Sequence, residues 1–259
     1  MKSPTDSSEG VDDERNGEGK EMKVLEVEIE SAGYEAARPI IKDLTFSVGA
    51  GKLVGLIGPN GAGKSTTVKA ILGLLKECRG EIRFTGETKR YAYVPEQPVT
   101  LEGLTLEEHL ELAAAVFQLP QLARRERTEE LLNSFSLQGV RHQYPESFSK
   151  GMRQKMMLIL AFLIEPEVLI VDEPFIGLDP RAIQTFLRWM ERQRKRGTGV
   201  LMSTHVLDTA ERICDTFLLI DGGRLTAAGN MEEIRERSGL AEGTLLDCFG
   251  RLSGEESGR

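Results

Sequence analysis

The feature that most constrains this chain is a nine-residue run, GPNGAGKST (Gly58 to Thr66), set directly behind the apolar stretch LVGLI. A short continuous apolar run that stops at glycine reads as a buried parallel strand. Beyond the run, Val68, Ile71, Leu72 and Leu75 share one face at helical spacing. The order is therefore strand, glycine-rich turn, helix, and the run matches G-x-x-x-x-G-K-[ST] at the junction where that motif works. Gly58, Pro59, Asn60, Gly61, Ala62, Gly63, Lys64, Ser65 and Thr66 together make the candidate phosphate cradle. Its three glycines permit a backbone path whose N–H groups converge on phosphate oxygens, and the following helix adds its positive end. Lys64 neutralises charge on the β- and γ-phosphates, and Ser65 offers a hydroxyl to Mg²⁺.

A second stretch completes that chemistry. VLIVD (Val168 to Asp172) reads as another buried strand, and GVLMST (Gly199 to Thr204) as a third. Asp172, at a strand end, would hold Mg²⁺ directly or through water, while Glu173 would polarise a water attacking the γ-phosphate. Between these stretches, residues from about Thr100 to Leu163 read as mostly helical. Thr105 and Glu108 form a capping box ahead of the stripe Leu106, Leu110, Ala113, Phe117. VLEVEIE alternates as a half-exposed strand does, and FLLIDGGRLTAAG reads as a hairpin turning at Asp221 to Gly223. Strands alternating with helices predict an α/β fold with a mainly parallel sheet, the helical block being an insertion.

Charge and cysteine content remove other classes. The net charge is -8, so no nucleic-acid partner is expected, and the basic run RWMERQRKRG (Arg188 to Gly197) reads as a solvated helix face. Cys78, Cys214 and Cys248 stand far apart without metal-ligand spacing. They predict no zinc, a reducing compartment and three small buried apolar side chains. Residues 1–21, rich in Ser, Gly, Asp and Glu, read as a disordered acidic tail, and LSGEESGR at the other end is similar. The most apolar run, MMLILAFLI (Met156 to Ile164), is far short of the ~20 residues of a bilayer span and predicts a buried helix.

With these motifs in order, the chain resembles the nucleotide-binding subunits of ATP-binding cassette (ABC) transporters between Met22 and about Arg237. That resemblance implies a P-loop NTPase of the ABC-ATPase fold, with an antiparallel N-terminal β-subdomain and a helical subdomain at about 98–165. The domain would span 22–238 and leave 239–259 as a tail. The signature usually written LSGGQ stands here as FSKGM (Phe148 to Met152). The resemblance places Ser149, Lys150, Gly151 and Met152 at a helix start that caps the γ-phosphate bound by an opposing protomer. It assigns His205, in STHVLDTAERICD, to the γ-phosphate and Glu173, Asp179 in GLDP to the dimer interface, and Tyr34 to stacking on adenine. A strand-edge tyrosine is the competing reading for Tyr34. In YVPEQP, Glu96 holds the place usually taken by glutamine and Gln97 follows; either would reach the Mg²⁺ shell. YVPEQP, FSKGMRQK and DEPFIGLDP together look most like Ecs-type ATPases of the bacterial ABC-2-like exporter group.

The implied function is ATP binding and hydrolysis with Mg²⁺, in a head-to-tail homodimer or heterodimer that energises a separate transmembrane permease subunit, in the direction of export. The implied location is cytoplasmic, peripheral on the inner face of the membrane. The competing class is a soluble ABC-type switch on nucleic-acid or ribosomal machinery. The single cassette, ordinary helical insert and acidic balance weigh against it.

Overall fold

Alternation of side chains shapes the N-terminal sheet. In β1 (Lys23–Gly33), Leu25, Val27 and Ile29 are buried while the glutamates between them face outward. β1 pairs antiparallel with β2 (Ile41–Gly49) on one side and with β4 (Glu77–Phe84) on the other. The computed structural model describes residues 22–35 and 37–254, so the tail expected at 1–21 lies outside the described residues.

The larger sheet is built from runs without alternation. β3 (Leu53–Ile57), β6 (Val168–Asp172) and β7 (Gly199–Thr204) are buried at every position, as strands covered on both faces must be. With β5 (Tyr91–Val94), β8 (Thr216–Asp221) and β9 (Arg224–Gly229) they form a six-stranded sheet in the order β5-β6-β7-β3-β8-β9. All neighbours are parallel except β8 and β9, the hairpin expected at Asp221 to Gly223. The strand leading into the glycine-rich loop thus lies between β7 and β8.

α1 (Lys64–Ile71) follows that loop. It ends one turn earlier than the apolar spacing predicts: Gly73 takes a left-handed φ of 67° and Leu75 lies beyond the helix. Leu72 and Leu75 still pack against the core shared by α1 and the two sheets. The helical stretch resolves into α2 (Leu106–Val116), α3 (Gln121–Ser134) and α4 (Lys150–Leu163), and the capping box of Thr105 and Glu108 is present. The apolar run from Met156 forms the buried interior of α4. α4 packs with α5 (Pro180–Arg194) around stacked Phe135, Phe162 and Trp189.

Two expectations are corrected. The domain does not stop at 238: α6 (Leu207–Ile213), α7 (Met231–Ser238) and α8 (Leu245–Leu252) share a third core with β8. α8 buries Leu245, Cys248 and Phe249, and burial of each large apolar side chain is worth roughly 1.5–3 kcal/mol. That is too much apolar surface for a tail. Of the cysteines, Cys248 is buried, but Cys214 is only partly covered and Cys78 is exposed on β4, whose side chains mostly face solvent.

Candidate nucleotide site

The carboxyl ends of β3, β6 and β7 open into a cleft of about 530 Å³, within the range of small-molecule sites. Its floor is the glycine-rich loop. Gly63, with φ 108°, is the N-cap of α1, a conformation that side chains strongly disfavour. Gly58 serves a different need, since a Cβ there would collide with the Ile220 carbonyl of β8. The first turn of α1 carries no acidic residue, so its free N–H groups keep their positive field for an anion. Asn60, Gly61, Gly63, Lys64, Ser65 and Thr66 all line the cleft. Lys64 is 6% exposed; its Nζ donates to the carbonyls of Gly58 (2.8 Å) and Pro59 (3.1 Å) and lies 3.7 Å from Glu173 Oε1.

β7 holds the end of β6 in place. Ser203 Oγ donates to Asp172 Oδ1, and the Glu173 N–H donates to the Ser203 carbonyl at 3.0 Å. Thr204 Oγ1 donates to Glu173 Oε2 at 3.3 Å, while His205 Nδ1 lies 2.8 Å from Glu173 Oε1. Three groups from two elements therefore fix one carboxylate that is 7% exposed. Glu173 also has φ 48°, in the left-handed region where a non-glycine residue is strained. Glu173 and His205 line the cleft.

Oxygen donors for a hard cation converge here. Ser65 and Glu96 line the cleft, and buried Asp172 stands at the end of β6 beside Glu173. Hydroxyl and carboxylate oxygens are the chemistry that Mg²⁺ takes, so the donor set fits that ion. Tyr93 registers the same charges: burial, then the carboxylates of Asp172 and Glu96, pushes its hydroxyl up to about 12. Gln97 is exposed and is not part of the wall, so of the two candidates in YVPEQP the fold turns Glu96 toward the cleft.

The second group of sequence candidates lies elsewhere. Ser149 is the N-cap of α4, accepting from the Met152 N–H at 3.2 Å, with Phe148 buried behind it. Ser149 and Lys150 are exposed, and none of Ser149, Lys150, Gly151 or Met152 lines the cleft. A Cβ on Gly151 would lie 2.6 Å from the Gly177 carbonyl, so the start of α4 rests directly on the loop before α5. Asp179 caps α5 through the Ala182 N–H (2.9 Å) and pairs with Lys155 of α4 at 2.7 Å. Lys155, then the Ala182 N–H, holds its carboxyl below the usual range.

Tyr34 is exposed and absent from the cleft wall; its hydroxyl meets Lys69 Nζ at 3.0 Å and the ammonium also lies over the ring. Ile40 and Ile176 line the cleft instead, and nothing in their local sequence marked them. His109 is buried, with Nε2 accepting from the Leu101 N–H at 2.9 Å.

Known proteins share this arrangement. Residues 41–176 match the family described as ABC transporter. The ABC transporter ATP-binding protein YthP of Bacillus subtilis is 46% identical over 226 residues, covering 87% of this chain and 95% of that protein. The ABC-type transporter ATP-binding protein EcsA of the same organism is 42% identical over 246 residues, covering 92% and 99%. A solved structure titled "Structure of ATP binding subunit of ABC transporter" superimposes with a TM-score of 0.85 at 45% identity, covering 89% of this chain and 99% of that one. The chain belongs to the ABC transporter family, as an ATP-binding subunit.

Proposed function

We propose that this ABC transporter subunit binds ATP in the cleft, hydrolyses it, and drives a separate membrane permease by closing head to tail with a second cassette. The observation that carries hydrolysis is the buried Glu173 carboxylate, held by Thr204 and His205 with the Lys64 ammonium 3.7 Å away. A carboxylate so fixed pays little reorganisation when it takes a proton from water attacking phosphorus. His205 orients that carboxylate from its exposed side. Lys64 exchanges its two carbonyl partners for phosphate oxygens, and the loop amides with the start of α1 receive the remaining charge. Ser65, Asp172 and Glu96 would hold Mg²⁺, which when bound would further neutralise the phosphates.

The need for a second cassette is read from the exposed start of α4. Ser149 uses a lone pair as a cap for the Met152 N–H and keeps its proton to donate, and the first N–H groups of α4 have no intrahelical partner. These groups suit a γ-phosphate presented by another chain, either a copy of this one or a relative. No described helix is long and apolar enough to cross a membrane, in keeping with a subunit held at the cytoplasmic face by its permease. Export is the direction read from the likeness of the signature and strand-end motifs to the ABC-2-like exporter group. Nothing in the family match or the relatives supports a ribosomal or nucleic-acid switch.

The test is recovery of tagged Glu173→Gln protein from its native cell with ATP and mild detergent. A stoichiometric multi-spanning membrane protein is the expected companion. Ribosomes or nucleic acid in its place would overturn the transport reading.

A further inference from the structure

The run read from sequence as a solvated basic face borders a second cleft, of about 300 Å³, between α3 and α5. Arg124 and Arg127 of α3 line it with Arg192 and Arg196, and these last two continue onto an open shelf with Arg188 and Lys195. The neighbouring carboxylates answer this charge only in part. Arg192 pairs with Glu130, Lys195 lies 3.7 Å from Glu191, and Glu165 alone serves both Arg127 and Arg196. The Arg188 side chain has only the Thr185 hydroxyl, at 3.1 Å, and the Arg124 side chain has no hydrogen-bond or ion-pair partner among the described residues. Burial, then the charges of Arg196 and Arg192, lowers the Arg127 guanidinium to about 10. With Glu126 included, four carboxylates face the six cations of the cleft and shelf.

The chain enters the fold beside this shelf. The Met22 carbonyl accepts from the Ala50 N–H at 2.7 Å. The next residue, Gly51, donates to the Gly197 carbonyl at 3.1 Å and accepts from Arg194 Nε at 3.0 Å. Met22 therefore lies next to the C-terminal end of α5. Residues 1–21 contain seven acidic residues against three basic ones, a net of -4 and half of the chain's -8. Three of the acids, Asp12, Asp13 and Glu14, are consecutive. At up to ~3.3 Å per residue, a third of the segment spans ~20 Å, enough to lie along the last turns of α5 and reach α3.

We propose that residues 1–21 seat on the cationic shelf of α5 and α3 as an intramolecular acidic ligand, Asp12, Asp13 and Glu14 pairing with Arg188, Arg192 and Arg124. α3 belongs to the helical insert and α5 to the core, so the seated segment clasps one to the other. The contact is between exposed charges and is lost as salt rises.

Zero-length carbodiimide coupling of carboxylates to lysine tests this on the full chain, because the Lys195 side chain is 76% exposed. A Glu191→Gln background removes the neighbour that would otherwise compete. Equal amounts of isotope-labelled and unlabelled chain are mixed, and the cross-linked peptides are mapped by mass spectrometry. The expected result is same-isotope links from the 9–21 region to Lys195 at about 0.05 M salt, reduced at least ~fivefold at about 0.5 M. The same reduction is expected in Arg124→Glu/Arg188→Glu, with ATP binding unchanged as the check that the variant is folded. Any one of three results overturns the proposal: no link to Lys195, links no more frequent there than at other exposed lysines, or mixed-isotope links alone. The last would assign the shelf to a second copy of the chain.

Discussion

The two halves of the proposed nucleotide chemistry are built to different standards within one chain. At the cleft, Lys64, Asp172 and Glu173 are buried and hold one another through Ser203, Thr204 and His205. At the start of α4, Ser149 and Lys150 are exposed, and the working groups are one capping hydroxyl and a row of backbone amides. The glycine-rich run of the first half matches its motif letter for letter, while Glu96 on the same cleft stands where glutamine is usual; the second half departs from LSGGQ at three of five positions. The difference follows from what does the work. A side chain that must carry a proton or a charge admits no substitute, whereas amides at a helix start are supplied by nearly any residue. What the second half cannot give up is space, and Gly151 against the Gly177 carbonyl shows where that space runs out.

This contrast can be broken by mutation. Glu173→Gln should lower ATP turnover by roughly 10²–10⁴-fold while nucleotide binding persists, with an ATP-dependent dimer visible by size exclusion. Undiminished turnover would remove Glu173 from its assigned role. Gly151→Ala should come next, since its added methyl meets backbone. An overpacking cost of about 1–3 kcal/mol on the closed form translates to a loss of about five- to 150-fold in steady-state ATPase. Binding of a fluorescent nucleotide to the isolated chain should stay as it was; if it weakens in step, the two halves are not separable. Glu96→Gln should change the half-saturating Mg²⁺ concentration severalfold, within about tenfold, because one carboxylate leaves the shell. The same variant should let Tyr93 ionise more readily, from about 12 toward the ordinary value but short of it, because burial, the larger cause, remains. Ultraviolet titration of tyrosinate reads this, and an unmoved transition would place Glu96 away from Tyr93 in solution. Met152→Gln should have the smallest effect, under about tenfold in turnover, being near in volume on a partly buried side chain. A loss of two orders of magnitude would mean that letters, not amides, carry the second half.

How much the sequence disclosed depended on whether the physics was local. The glycine loop, the strand-end acids and His205 were legible because each is fixed by a strand that ends beside it, and their convergence follows from parallel topology. The choice between Glu96 and Gln97 was not legible, since neighbours in an irregular loop differ only in the direction they face. Tyr34 was assigned by the resemblance, and its hydroxyl and ring lie against Lys69 of α1, a contact no local pattern announces. α8 could have been found: Thr244 and Asp247 make a capping box ahead of Leu245, Cys248, Phe249 and Leu252 at helical spacing. Flanking glycines and the end of the recognised motifs hid it.

The position of β3 bears on how the protein comes into being. Leu53 pairs with Val200 and Val54 with Thr216, so the strand that launches the phosphate loop finds its neighbours only after most of the chain has been made. Pairings so distant in sequence are slow to form and leave a nascent chain with uncovered strand edges. The acids and histidine that β6 and β7 bring to the loop arrive by the same late step. A polypeptide interrupted before β7 would therefore carry an intact glycine-rich motif and an incomplete cleft, and the proposed ATP turnover would become a report that synthesis has passed β7.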